Sequence, residues 1–193
     1  MQKGLRESLL CEKCENRFSV YERYASMFLN GGVGITVQRE GDRLYLTGLD
    51  YNKLKLFQLS ILWRASISSL SSFAQVKLGP HADRIRTMLL ADEPGTEDVY
   101  GCLMFVLMHE NVVMPDIIVS PTFTRLDSLI VYRFVFGGLV FLYVVSSTPP
   151  PKFLAEHFLK KLGTAIVKLQ QVGELGFVVD TVNMMQRMGK LSK

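Results

Sequence analysis

Cys11 and Cys14, separated by Glu12 and Lys13, are the residues of this chain whose type and spacing most directly suggest chemistry. Two cysteines so spaced at the first turn of a helix can point both thiolates past the helix end, which is a common zinc half-site. Structural zinc takes four ligands, and the rest of the chain offers Cys102, His81, His109 and His157, none at knuckle spacing. Two other readings stay open. The pair can serve as small buried hydrophobes at the head of an apolar stripe, or as a redox pair, although a thioredoxin-like setting needs a strand and a βαβ unit upstream. The histidines are expected to be structural: His81 falls at a helix start, His109 at a strand end beside Glu110, and His157 within a helix. None has a neighbouring nucleophile, orienting carboxylate or second ligand in its sequence pattern.

Phosphate chemistry has less to stand on. Gly31-Gly32-Val33-Gly34 follows a helical pattern and precedes a strand pattern, the reverse of the order that cradles phosphate on a helix N-terminus. The chain carries 22 Lys and Arg against 18 Asp and Glu, a net +4, with the charges scattered. Arg64 lies near the middle of a mostly apolar helix and must meet a carboxylate, a carbonyl or an anion. Arg84 and Arg86, with Lys160, Lys161 and Lys168, would form a phosphate-tracking surface if the fold gathered them, so nucleic acid is one partner to consider. Met184, Met185 and Met188 read either as the last turn of the core or as an adaptable docking stripe for a protein partner.

The elements that must position these residues are legible to different degrees. Cys11, Cys14, Phe18, Tyr21, Ala25 and Phe28 recur at helical spacing, predicting a helix from Cys11 to Leu29 stopped by Asn30-Gly31-Gly32. Ile35 to Gln38 and Arg43 to Thr47 flank a turn and predict a hairpin. Asp50 is an N-cap candidate for a helix from Tyr51 to about Ser69 that is apolar on most sides. Gly79-Pro80 introduces a helix from His81 to about Ala91. Val99 to His109, Val112 to Ser120, Leu129 to Phe136 and Leu139 to Ser146 read as an antiparallel meander. A helix from Lys152 to about Gln171 is expected after the Pro149-Pro150-Pro151 break, with Leu154, Phe158, Leu162, Ala165 and Leu169 inward, and a last helix from Phe177 to Met188.

Ser128 to Ser146 is long and apolar enough to be compared with a membrane span. Its β-branched and aromatic residues around Gly137-Gly138 describe two strands joined by a two-residue hairpin better. No membrane partner is expected. The polar start, Met1 to Glu7, is unlike a signal peptide, and the odd set of three cysteines does not suggest a disulfide framework, so a reducing cytoplasm is the expected setting. At 193 residues, 48% hydrophobic and 21% charged, the chain is expected to form one α+β domain spanning 1–193. That domain should carry an antiparallel sheet of about four to six strands packed with about four to five helices.

The run Gly4-Leu5-Arg6-Glu7-Ser8-Leu9-Leu10-Cys11-Glu12-Lys13-Cys14-Glu15, followed by Phe18, Tyr21, Glu22 and Tyr24, resembles the second half of a treble-clef zinc unit in small prokaryotic proteins related to HNH endonucleases. Leu62-Trp63-Arg64-Ala65-Ser66, within the Asp50 to Ser69 segment, is similar to the same uncharacterised family. The resemblance implies that residues 1–30 are a treble-clef-like remnant and that Cys11 and Cys14 are metal ligands, with zinc as the cofactor of the half-site. The family's first Cys-x-x-Cys and its Ser-His segment have no counterpart here. An HNH nuclease needs a histidine to activate water and further side chains to hold a divalent metal. The expected function is therefore that of a non-catalytic binding or accessory protein with a protein partner, within a nucleic-acid-handling or defence assembly. Two alternatives remain: a metal-dependent nuclease completed by another subunit or by upstream residues, and a purely structural interaction module.

Overall fold

The computed structural model describes residues 7–126 and 129–174, which form an α+β fold: one eight-stranded, mostly antiparallel sheet with helices against it. The predicted last helix, with Met184, Met185 and Met188, lies outside the described residues. Helix α1 spans Glu12–Leu29 with Cys11 as its N-cap and Asn30 as its C-cap, as the periodicity and the Asn-Gly-Gly stop predict. Strands β1 (Thr36–Glu40) and β2 (Arg43–Thr47) form the expected hairpin. Helix α2 spans Tyr51–Ile67, and Asp50 Oδ1 caps it by accepting the Lys53 amide at 3.0 Å. Helix α3 runs His81–Ala91 and ends on Asp92 in the left-handed conformation.

The rest of the sheet comes from β3 (Cys102–His109), β4 (Val112–Val113), β5 (Val119–Leu126), β6 (Leu129–Phe136) and β7 (Leu139–Val145). It is completed by β8 (Ala165–Gln171), which follows the four-residue helix α4 (Lys152–Ala155). Strand order is β1-β2-β8-β3-β7-β6-β5, with β4 paired to β3. Two expectations change. The four-strand meander is interrupted: β3 pairs with β7 rather than with β5, and the Val112 to Ser120 stretch keeps only two residues as strand before Pro115 removes a donor. β5 then runs along the sheet edge, where Pro121 sits beside a register shift between Val119 and Thr122.

The larger correction concerns the helix expected from Lys152 to Gln171. It stops at Ala155, and Ala165–Gln171 is a strand, antiparallel to β2 and parallel to β3. Leu162, expected inward, is 90% exposed. Ala165, Val167 and Leu169 fit a strand's two-residue period as readily as Leu154, Phe158, Leu162, Ala165 and Leu169 fit a helical one. Gly163, at φ +73°, marks the break. β8 is the strand that joins the β1–β2 hairpin to the rest of the sheet, so the sheet is larger than the sequence suggests.

Helices α1, α2 and α3 cover one face of the sheet, where Phe18, Tyr21 and Ala25 of α1, Leu54 and Leu62 of α2, and Ile85 and Leu89 of α3 share a core with Met104, Phe134, Phe141 and Val167. Phe158 and Leu154 cover one end of the opposite face, against Leu129, Val131 and Val144. The apolar run that could be mistaken for a membrane span is the β6–β7 hairpin, with Gly137 and Gly138 at φ +58° and +77°. Both positive values match the type I′ turn whose twist suits paired strands. A Cβ on Gly138 would lie 2.7 Å from Val113 Cγ1. Gly138→Ala is accordingly expected to cost about 1–2 kcal/mol in chemical denaturation. No helix among the described residues is long and apolar enough to cross a membrane.

Candidate functional site

The α1 stripe divides where the helix leaves the core. Phe18, Tyr21 and Ala25 are buried, whereas Cys14 is half-buried and Cys11 exposed. The pair is therefore not a continuation of the core. Cys11 sits at φ −78° and ψ 160°, extended rather than helical, and its carbonyl accepts the amides of Cys14 and Glu15 at 2.9 Å each. No helix amide reaches capping geometry at the Cys11 side chain. The Cys14 amide and the Cys14 thiol nevertheless lie close enough to favour the Cys11 thiolate and lower its pKa. The Cys14 pKa moves the other way, raised first by its thiol's contact with Cys11 and then by desolvation. Such a pair has one accessible sulfur inclined to ionise and one inclined to keep its proton.

The middle of α1 is held by side chains of α2 and by the end of α3. Arg64 of α2 places its guanidinium 2.7 Å from Glu22 Oε1 and over the Phe18 ring, 6.0 Å from the centroid. The charge expected to need a partner inside an apolar helix has therefore found a carboxylate on the neighbouring helix. Tyr21 donates its hydroxyl to Asp92 at the end of α3, and Arg17 reaches the same carboxylate and the Leu90 carbonyl. Just past Arg64, at the C-terminal end of α2, the Glu7 carboxylate accepts the Ser68 hydroxyl and both the amide and hydroxyl of Ser69. These bonds hold the Glu7 carboxyl below its ordinary pKa and strap the segment before Cys11 to the α2 C-terminus.

The other predicted cations are divided among separate elements. Arg84 and Arg86 are exposed on α3. Lys160 is paired with Glu97 at 3.4 Å and donates to the Ala155 carbonyl at 2.6 Å. Lys168 pairs with Asp42 across the β2–β8 margin at 3.3 Å. Lys161 lines a surface cleft of about 670 Å³ together with Asp50, Asp92 and Glu93, an acidic setting unlike a phosphate track. Three of the six cations are thus engaged by carboxylates of this chain, a setting that does not favour phosphate.

The histidines also stand apart. His81 Nδ1 lies 3.0 Å from the Tyr100 hydroxyl and its ring meets the Tyr100 ring edge-on. His157 Nδ1 lies 3.0 Å from the Phe153 carbonyl, and His109 is exposed at the end of β3. Among the described residues no group of three His, Cys, Asp or Glu side chains is placed to hold a metal ion.

One cluster leaves no signal in the sequence. Lys55, which reads there as a polar break in α2, is 1% exposed and donates its Nζ to the Tyr100 carbonyl at 2.7 Å. Tyr100 has φ +51°, unusual for a residue with a side chain. Desolvation pushes the Lys55 pKa down to about 8 and drives the Cys102 thiol far above its ordinary value. Nearby, the Gln58 amide nitrogen is 3.5 Å from Met104 Sδ. Gln58 Oε1 and the Tyr143 hydroxyl have no hydrogen-bond partner among the described residues. Nothing in the spacing of α2 marks Lys55, because its helix is apolar nearly all round.

No protein-family model, no curated protein and no solved structure matches this chain.

Proposed function

We propose that this chain is a binding or accessory protein in which Cys11 and Cys14 supply half of a zinc site, completed by ligands from a partner. The observation that supports it is the position of the pair: both cysteines stand outside the core at the N-cap and first turn of α1, while the rest of the same helix face is anchored by Phe18, Tyr21 and Ala25. Two thiolates on a helix end are one half of the tetrahedral set that structural zinc takes. In this reading the other half comes from a second polypeptide, and zinc acts as the link between the two. The resemblance to HNH-type zinc proteins suggests a nucleic-acid-handling or defence assembly as the setting and the cytoplasm as the compartment.

With only this chain in solution, the missing pair of thiolates comes from a second copy. Zinc added to reduced, metal-free protein is expected to convert monomer to dimer in sedimentation velocity and to remain bound after gel filtration. Cys11→Ser and Cys14→Ser should each lower zinc affinity by at least about tenfold and abolish the shift, whereas Cys102→Ser should retain both. Equal zinc retention by the wild type and the Cys11 and Cys14 variants would overturn the half-site.

A further inference from the structure

The geometry that exposes Cys11 and Cys14 also suits them to a reaction without metal. Two cysteines three apart within a continuous helix are poorly placed to bridge, because both Cβ atoms follow the helix and neighbours at that spacing stay about 5–6 Å apart, against roughly 3.8 Å in a disulfide. Cys11 is not in the helix. Its extended backbone, at φ −78° and ψ 160°, frees its side chain from the helical direction, while the bond from the Cys14 amide to its carbonyl keeps the two residues within one turn. The first buried residue of α1 is Phe18, a full turn beyond Cys14, so a bridge would form outside the fully buried part of the helix. Access is graded too, since Cys11 is exposed and Cys14 half-buried.

We propose that Cys11 and Cys14 form a reversible dithiol–disulfide site that exchanges with small or peptide disulfides, Cys11 attacking first and Cys14 resolving. In the first step the Cys11 thiolate forms a bond to one sulfur of the incoming disulfide and the other sulfur leaves as a thiolate. In the second, the deprotonated Cys14 sulfur attacks Cys11, forms the intramolecular bridge and expels the remaining half as a second thiolate. The chain loses two electrons and two protons, and the disulfide becomes two thiols. Cys102 takes no part, being buried between α2 and the sheet. This activity goes beyond metal binding and does not depend on it, but the two exclude each other in time, because zinc binds thiolates and a closed disulfide has none.

The test uses the full chain freed of metal and kept in chelator, equilibrated with oxidised and reduced glutathione at a series of ratios, quenched with acid and examined by mass spectrometry after alkylation. The wild type is expected to pass through one transition to a form lighter by two hydrogens, with Cys11 and Cys14 protected from alkylation and Cys102 still a thiol. Cys14→Ser should accumulate one glutathione on Cys11, and Cys11→Ser should react at least about tenfold more slowly than Cys14→Ser. Wild-type protein that collects glutathione adducts without ever closing the bridge overturns the proposal, as does faster reaction at Cys14. Chelator keeps the outcome separate from that of the zinc titration, so either reading can fail without the other.

Discussion

Replacing Gly163 by alanine is expected to destabilise the chain by about 3 kcal/mol or more, lowering Tm by roughly 6–12 °C for a chain of this size. Two costs combine. Gly163 holds φ +73°, where an L side chain adds about 1–2 kcal/mol of strain. A Cβ there would also lie 2.4 Å from the Leu49 carbonyl oxygen and 3.2 Å from the Leu49 nitrogen, and both of those atoms are backbone. Backbone cannot swing aside as a side chain can, and the bond from the Leu49 amide to the Gly163 carbonyl, 3.0 Å, sits at the point of collision. Relief must come from moving β8 away from the end of β2, which weakens the pairing of Leu46 with Ala165 and of Leu44 with Val167. Gly41 provides the control: it has a similar φ of +60°, and a Cβ added to it would meet nothing within 4 Å, so Gly41→Ala should show the strain alone. Hydrogen exchange should locate the added loss for Gly163→Ala in β1, β2 and β8. Equal losses for the two variants would mean that the close approach to Leu49 carries no energy.

The same glycine explains where the sequence misleads. α1, α2, α3 and the β1–β2 hairpin follow from local signals: a stripe at helical spacing, an Asp N-cap, a Gly-Pro start and a tight turn. β8 does not, because Ala165, Val167 and Leu169 can be read at either period, and only pairing with β2 and β3 decides between them. Long-range pairing is not written in any window of the sequence. The break in the meander is similar: the apolar runs are visible, but that β3 lies between β7 and β8 is a property of the whole sheet.

For the site, the position of Cys11 at the head of α1 was legible, but its exposure was not. The stripe of six residues gives no sign that its first two lie beyond the core, since burial depends on how far α2 reaches alongside α1. Arg64 could be read as a cation in need of a carboxylate, and Glu22 supplies it from another helix. Lys55 could be read as a polar break in α2, but not as a buried donor. Its partner is a main-chain carbonyl forty-five residues away, which leaves no mark on residue type.

Replacing Lys55 with methionine should alter the pH dependence of stability more than its magnitude at neutral pH. The folded-state pKa of Lys55 lies at about 8, below its ordinary 10.5. Below pH 8 both folded and unfolded chains hold the proton, so the burial cost is constant. Between pH 8 and 10.5 the unfolded chain binds a proton that the folded chain has released, and stability contributed by this group rises with pH, by about 3 kcal/mol in all. Other buried groups act in the opposite sense: Tyr51, pushed up to about 12, and Tyr143 and Cys102, also raised by burial, stay protonated in the folded chain after the unfolded chain has begun to lose its protons. The wild-type curve alone therefore mixes the two trends, and the informative quantity is wild type minus Lys55→Met, measured by urea denaturation at each pH.

At pH 7 that difference should be small, because methionine removes a desolvated charge and with it the bond to the Tyr100 carbonyl. By pH 10.5 it should have moved by about 3 kcal/mol in favour of the wild type, whose lysine is then neutral and still able to donate. Parallel curves would show that the ammonium is hydrated in the folded chain and that burial by the core is incomplete. A difference that grows as predicted identifies Lys55 as the buried group that releases its proton in the folded chain above about pH 8, beside the carbonyl of Tyr100, whose hydroxyl in turn lies 3.0 Å from His81 Nδ1.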